Sequence, residues 1–375
     1  MTRPTIVSVV GTRPNMMKIG PIAAELARLD EFDHVLIHTG QHYDREMFEI
    51  FIEQLEMRPP DHVLGIGPGT HAQQTARVME RLEPLLAEIM PALVLVPGDV
   101  NSTLGAALTA AKLVLPIGHV EAGLRSFDRT MPEELNRILT DQLSCLLFIH
   151  SPEAQGNLLS EGRPASAIFN VGNTMIDSLV RLSTAIDGRR TPHELGLESE
   201  GYVVVTLHRP ALVETELLTI AMSQLRSLSR DIPVVFPVHP RTRARLERAG
   251  IVGDERLHLL PPLGYIEFLS LLKGAAAILT DSGGIQEEAT YLGIRCFTLR
   301  ENTERPITVE LGTNILLGLA PDRIAEIPQM LASSPPASDA LPPLWDGHAA
   351  RRIVEVIRSH VGTLGATAAG RPSSG

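Results

Sequence analysis

The sequence predicts an α/β protein built from two doubly wound, Rossmann-like domains with parallel sheets. Short apolar runs alternate with amphipathic segments from one end of the chain to the other. Those runs are hydrophobic at successive positions instead of alternate ones, which marks strands covered on both faces by helices. At 375 residues the chain is also too long for one ordinary core, so two domains are expected.

The elements follow in order. TIVSVV (5–10) is the first strand, GTRPN a loop, and Met16–Leu29 a helix. HVLIHTG is the second strand, with a helix from about Asp44 to Leu55 after it. His34, His38 and His42 have a spacing that would align them on a helix, but they span a strand and its exit loop, so no metal site is expected. GIGPGT (65–70) follows no clear strand and reads as a flexible connection. Thr70–Met90 is a long helix, and ALVLVP (92–97) a buried strand ending in Gly98-Asp99. A helix with Asn101-Ser102 at its start runs to about Leu113, followed by the strand PIGHV (116–120). Leu135, Ile138, Leu139 and Leu143 recur at helical spacing, so a helix begins near Pro132. CLLFIH (145–150), a helix from Pro152 and AIFNVG (167–172) complete residues 1–170 as the first domain.

The alternation then starts afresh, with a helix from Asn173 opening a second domain over 171–345. Its strands are YVVVTL (202–207), PVVFPV (233–238), LHLL (257–260), AAILT (276–280) and RCFTL (295–299). SSPPASDALPPLWDG (333–347) is a proline-rich surface connection. A helix over 346–361 is expected to pack back on the first domain, and 362–375 to form a disordered tail.

Composition narrows the function. Hydrophobic residues make up 44% and charged ones 21%, and no apolar run reaches membrane-spanning length. TIVSVV runs straight into GTRP without a cleavage pattern, so it is a strand and the protein is expected in the cytoplasm, away from membranes. A net charge of −11 without a basic stripe argues against nucleic acid as a partner. The only cysteines, Cys145 and Cys296, lie in apolar runs and read as buried thiols.

The chemistry gathers at strand exits, where open α/β sheets bind ligands. The stretch Gly118–Arg137, GHVEAGLRSFDRTMPEELNR, brings Glu121, Glu133, Glu134, Arg125 and Arg137 to one exit, and Asp99 leaves the neighbouring strand. Glu133 carries more than one reading: a capping box with Thr130, an i,i+4 pair with Arg137, or a catalytic acid. In TDSGGIQEEATYL (280–292) a strand ends at Asp281-Ser282, and Gly283 and Gly284 open a helix. Backbone N–H groups and the helix dipole there favour an anion, while the glutamates behind them suit a ribose. Arg13 and Lys18 flank the first turn, and His208-Arg209, then His239 with Arg241 and Arg243, leave the next strands. Glu301, Glu304 and Arg305 follow RCFTL. Cations on one side and acids on the other suit a phosphorylated sugar between the domains. The turn GTRPN lacks the GxGxxG of a dinucleotide site, and neither Asp-x-Asp nor a histidine or cysteine cluster calls for a metal. No cofactor is expected.

GTRPNMMK, TGQHYD, GDVNST, GHVEAGLRS…MPEELNR, VGNTMID, VTLHRP, PVHPRT, TDSGGIQEE and NTERP, in this order over residues 5–318, resemble the non-hydrolysing UDP-N-acetylglucosamine 2-epimerases. The resemblance implies a glycosyltransferase B-type fold, a UDP-sugar substrate, a homodimer, and inversion at C2 through elimination of UDP to a 2-acetamidoglucal and re-addition. By motif position Asp99, Glu121 and Glu133 are the implied catalytic acids, with His208 near the leaving group. Arg13, Lys18, Arg137, Arg209, His239, Ser282, Gly283, Gly284, Glu288 and Arg305 would bind the nucleotide sugar. The chain departs from the family pattern at Tyr43-Asp44, at HRPALVE and at ERPIT. A 3-acetamido or uronic acid sugar, or a B-type glycosyltransferase activity, therefore stays open beside the main reading.

Overall fold

The computed structural model describes residues 3–40, 52–55, 57–333 and 341–369. His42, Tyr43, Asp44 and most of the expected second helix lie outside them. The chain divides into two compact units, Met1–Arg181 joined by Pro343–Gly375, and Leu182–Pro342.

The first unit holds seven parallel strands: β1 (Thr5–Val10), β2 (Asp33–His38), β3 (His62–Val63), β4 (Leu93–Pro97), β5 (Ile117–Val120), β6 (Leu146–Ile149) and β7 (Ile168–Asn170). Their order is β3-β2-β1-β4-β5-β6-β7. The second holds β8 (Val203–Thr206), β9 (Val234–Pro237), β10 (Leu257–Leu260), β11 (Ala277–Thr280), β12 (Arg295–Thr298) and β13 (Asn314–Leu316), ordered β10-β9-β8-β11-β12-β13. Each sheet therefore reverses its winding once, between β1 and β4 and between β8 and β11, which is where doubly wound sheets open a crevice for a ligand. Both cores are apolar: Val7, Val9, Val94 and Val96 meet Val78, Leu82 and Ala106 in the first unit. Val203, Val205, Phe236 and Leu279 pack with Leu225 and Phe297 in the second.

The structure differs from the sequence reading in several places. The edge strands β3 and β13, of two and three residues, were not expected. The first helix begins at Arg13, a turn early, because Thr12 caps it in a capping box with Asn15. The expected boundary near 170 falls inside the first unit, since the helix Thr174–Arg181 packs there and Ser178 Oγ donates to the Met17 carbonyl at 2.6 Å.

The last helix spans Ala349–Ala369, so the expected tail is helical over 362–369. Extending an existing helix through alanines is inexpensive. Its start is fixed by Asp177, whose carboxylate accepts the N–H groups of Ala349 (3.1 Å) and Ala350 (2.7 Å). Just before it, fully buried Trp345 donates Nε1–H to the His150 carbonyl at 2.9 Å. Among the described residues no helix is long and apolar enough to cross a membrane.

Candidate active site

In the first unit three strand exits converge. Asn15, after β1, accepts from the N–H groups of Gly11 and Thr12 at 3.2 Å and donates to the Pro97 carbonyl of β4 at 3.0 Å. This one amide ties the two strands that flank the switch point. Gly98 follows at φ +65°, and a Cβ there would sit 3.0 Å from Lys18 Nζ and 3.4 Å from Glu121 Oε2. Only glycine fits both the conformation and the space. Glu121, at the exit of β5, is 8% exposed, holds φ +72° and is ion-paired with Lys18. A non-glycine residue in that region stores strain of the kind that collects at functional sites. Lys18, expected to meet UDP, is thus placed against a candidate catalytic acid.

Asp99 follows Gly98 with its side chain 26% exposed. Arg137 donates to its Oδ2 through Nε (3.0 Å) and Nη2 (2.7 Å), and Asn136 Nδ2 donates to its backbone carbonyl at 2.8 Å. Its Oδ1 takes no hydrogen bond from the described residues. Arg137 is 2% exposed and also reaches Glu134 at 2.6 Å, so it joins two carboxylates.

The local readings of Glu133 are overturned. The helix is Pro132–Leu143 with Met131 at its N-cap and no side-chain cap, while Thr130 Oγ1 donates to Asp128 at 2.6 Å. Arg137 pairs with Glu134, one turn away at i,i+3, because that carboxylate is the buried one. Glu134 also accepts the N–H groups of Ser126 and Phe127, each at 2.9 Å, and so shapes the loop. Glu133 is half-buried and makes no hydrogen bond or ion pair among the described residues.

The second unit repeats the plan with other chemistry. Asp281, at the exit of β11, accepts the N–H groups of His208 and Arg209 at 2.8 Å each, and its Oδ1 lies 2.8 Å from His208 Nδ1. Burial pushes the Asp281 carboxyl up, but His208 and the two N–H groups outweigh that and hold it below its ordinary value. The His208 side chain remains 46% exposed, oriented from behind. Ser282 is the N-cap of the helix Gly283–Leu292, and its hydroxyl caps nothing.

Gly283 is required for a reason the sequence did not disclose. A Cβ there would meet Arg305 Nη1 at 2.3 Å and Glu304 Oε1 at 2.7 Å. Arg305 is buried and bonded to Glu287 (2.8 Å) and Glu304 (2.6 Å), and Glu304 also binds Arg300 at 2.6 Å and lies 3.7 Å from Arg209. Glu288 is buried and accepts from Tyr265 Oη at 2.8 Å; burial pushes its carboxyl up to about 7 against that hydrogen bond, with Glu287 adding to the rise. Arg13 and His239 are exposed at the exits of β1 and β9. Arg243 is turned to structure, donating to the Leu260 carbonyl at 2.6 Å, and the Arg241 side chain lies outside the described residues.

Asn15, His119, Asp141, Asp281 and Tyr265 were not among the expected site residues. For His119 and Asp281 the signal was a polar group in or ending an apolar strand. Tyr265, on a remote helix, offered none.

The family model for UDP-N-acetylglucosamine 2-epimerase matches residues 24–358. The chain belongs to this family. Among 2-epimerase relatives, the UDP-N-acetylglucosamine 2-epimerase of Methanococcus maripaludis is 41% identical over 360 residues, covering 93% of this chain and 97% of that one. The UDP-2,3-diacetamido-2,3-dideoxy-D-glucuronate 2-epimerase of Pseudomonas aeruginosa is 42% identical over 326 residues, or 86% and 90% of the two chains. A crystal structure of the Methanocaldococcus jannaschii UDP-GlcNAc 2-epimerase in complex with UDP-GlcNAc and UDP superposes with a TM-score of 0.87 at 38% identity, covering 95% and 99% of the chains. The two parallel α/β sheets are therefore those of the 2-epimerase, B-type fold.

Proposed function

We propose that this 2-epimerase interconverts UDP-N-acetylglucosamine and UDP-N-acetylmannosamine by inversion at C2. The observation that carries the reading is the pairing of Asp99 and Glu121 at the adjacent exits of β4 and β5, in a chain of this family. A carboxylate takes the C2 proton while the C1–O bond breaks and its electrons leave with UDP, giving a glucal. The glucal accepts a proton at C2 from the other face as a UDP oxygen re-forms the C1 bond. Such chemistry needs fixed acids and a stabilised leaving group. Asp99, Glu121 and Glu133 are the acids in this proposal, and Arg137 and Lys18 orient two of them. In the second unit Ser282, Gly283 and Gly284 offer the helix N-terminus to the pyrophosphate. His208, Arg209, His239 and Arg305, with Arg13 of the first unit, support the charge, and Glu288 accepts from the ribose.

The test is to incubate the protein with UDP-N-acetylglucosamine in D2O and follow products by NMR. UDP-N-acetylmannosamine carrying deuterium at C2 is the expected result. Epimer without deuterium would sink the elimination route. Turnover confined to UDP-2,3-diacetamido-2,3-dideoxy-D-glucuronate would move the substrate to the one named for the Pseudomonas relative. We place the enzyme in the cytoplasm, in keeping with its free thiols Cys145 and Cys296, and as a homodimer, which sedimentation equilibrium checks.

A further inference from the structure

We infer that His119 is a positioning residue that holds Asp99 in place by gripping the Gly98 carbonyl. His119 lies on β5, fully buried, with Nε2 2.8 Å from the Gly98 carbonyl oxygen and Nδ1 2.6 Å from Asp141 Oδ1. A carbonyl oxygen only accepts, so Nε2 carries a proton. The other ring nitrogen faces Asp141. Its second oxygen accepts from Arg125 Nη2 at 2.7 Å and from the Gly123 N–H at 3.1 Å. Burial alone would push this carboxyl up, but His119 and Arg125 outweigh it and hold it low. Asp141 is therefore fixed from the side away from the ring, and holds the ring in turn.

Arg125 in turn binds Glu161 through two bonds, at 2.7 and 2.6 Å, so a chain of partners holds Asp141, and through it the ring, in one place.

The consequence reaches Asp99 through one peptide. The Gly98 N–H donates to the Val120 carbonyl at 2.9 Å, so β5 holds both polar groups of Gly98. Asn136 then holds the Asp99 carbonyl and Arg137 its carboxylate. His119 touches no reacting atom in this scheme; it is a positioning residue. The inference rests on Asp99 being a catalytic acid, as proposed above.

Long-range nitrogen–proton NMR of histidine-labelled protein, with His119 assigned by its loss in His119→Asn, reads the ring directly. Nε2 is expected to carry a proton hydrogen-bonded to the Gly98 carbonyl. A bare Nε2 overturns the inference. Kinetics reads the grip: a Gln amide reaches the place of Nε2, whereas an Asn amide stops short at Nδ1. His119→Asn should lower kcat about 100-fold, with KM and UDP affinity unchanged, and His119→Gln should recover about tenfold of that loss. The Asn amide still donates to Asp141 and the Gln amide does not, so His119→Gln should melt no higher than His119→Asn, and its recovered kcat reads the grip and not stability. Equal kcat in the two, or wild-type kcat in either, overturns the positioning. A wild-type protein without epimerase activity would sink the proposed function, and leave the grip on Gly98 to be decided by the spectrum.

Discussion

Glu133 and Glu134 are adjacent in sequence and opposite in use. Glu134 accepts two backbone N–H groups and Arg137, while Glu133 accepts nothing among the described residues. Glu133→Gln should therefore leave the melting temperature within a degree or two, a change of roughly 0.5 kcal/mol or less, and reduce kcat by about 100-fold. Glu134→Gln should do the reverse first, lowering stability by about 3 kcal/mol through a broken buried pair. Calorimetry beside initial rates checks both; a Glu133→Gln enzyme with wild-type turnover would return that residue to the surface. Glu288 makes a pH prediction. An unfolded chain releases its proton near the ordinary 4.5, but the folded one near 7. The folded state thus holds more proton across that window and loses stability as pH rises through it, by roughly 3 kcal/mol in all. Glu288→Gln should flatten the dependence of melting temperature on pH between those limits.

The elements were legible where apolar pattern decides them and illegible where the site does. Every strand with a run of consecutive apolar residues was found, while β3 and β13 are too short to carry a pattern. The helix Pro132–Leu143 was expected from Leu135, Ile138, Leu139 and Leu143, yet Leu135 and Leu139 are 38% and 48% exposed. Its buried face is Glu134, Asn136, Arg137, Thr140 and Asp141. The period was right and the inward face was inverted, because this helix packs against a polar cluster that Asp99 and His119 demand. Gly283 shows the same limit: its place before a helix suggested room for an anion, and the structure puts Arg305 and Glu304 against it. Gly283→Ala should displace that ion pair and destabilise the second unit by about 1–3 kcal/mol, read as a shifted urea midpoint. An unshifted midpoint would mean the pair moves aside freely.

At the scale of the whole chain, two sheets of the same winding hold different chemistry, acids after β4 and β5, and a glycine-opened helix after β11. That division was readable from which residue types left which strands. The route of the chain was less so: Trp345 under the His150 carbonyl and Asp177 at the start of the last helix return the C-terminus to the first unit. A chain ended at Pro342 should accordingly keep a protease-resistant second unit and lose resistance in the first; equal resistance in both would show that the return helix contributes little. For a protein made from its N-terminus, this route has a temporal meaning. The first unit waits with an open seam while all of Leu182–Pro342 is translated, and is closed only when Trp345 and the helix from Ala349 follow. A product that stops before Trp345 cannot seal the half carrying the acids, and would display that seam to proteases.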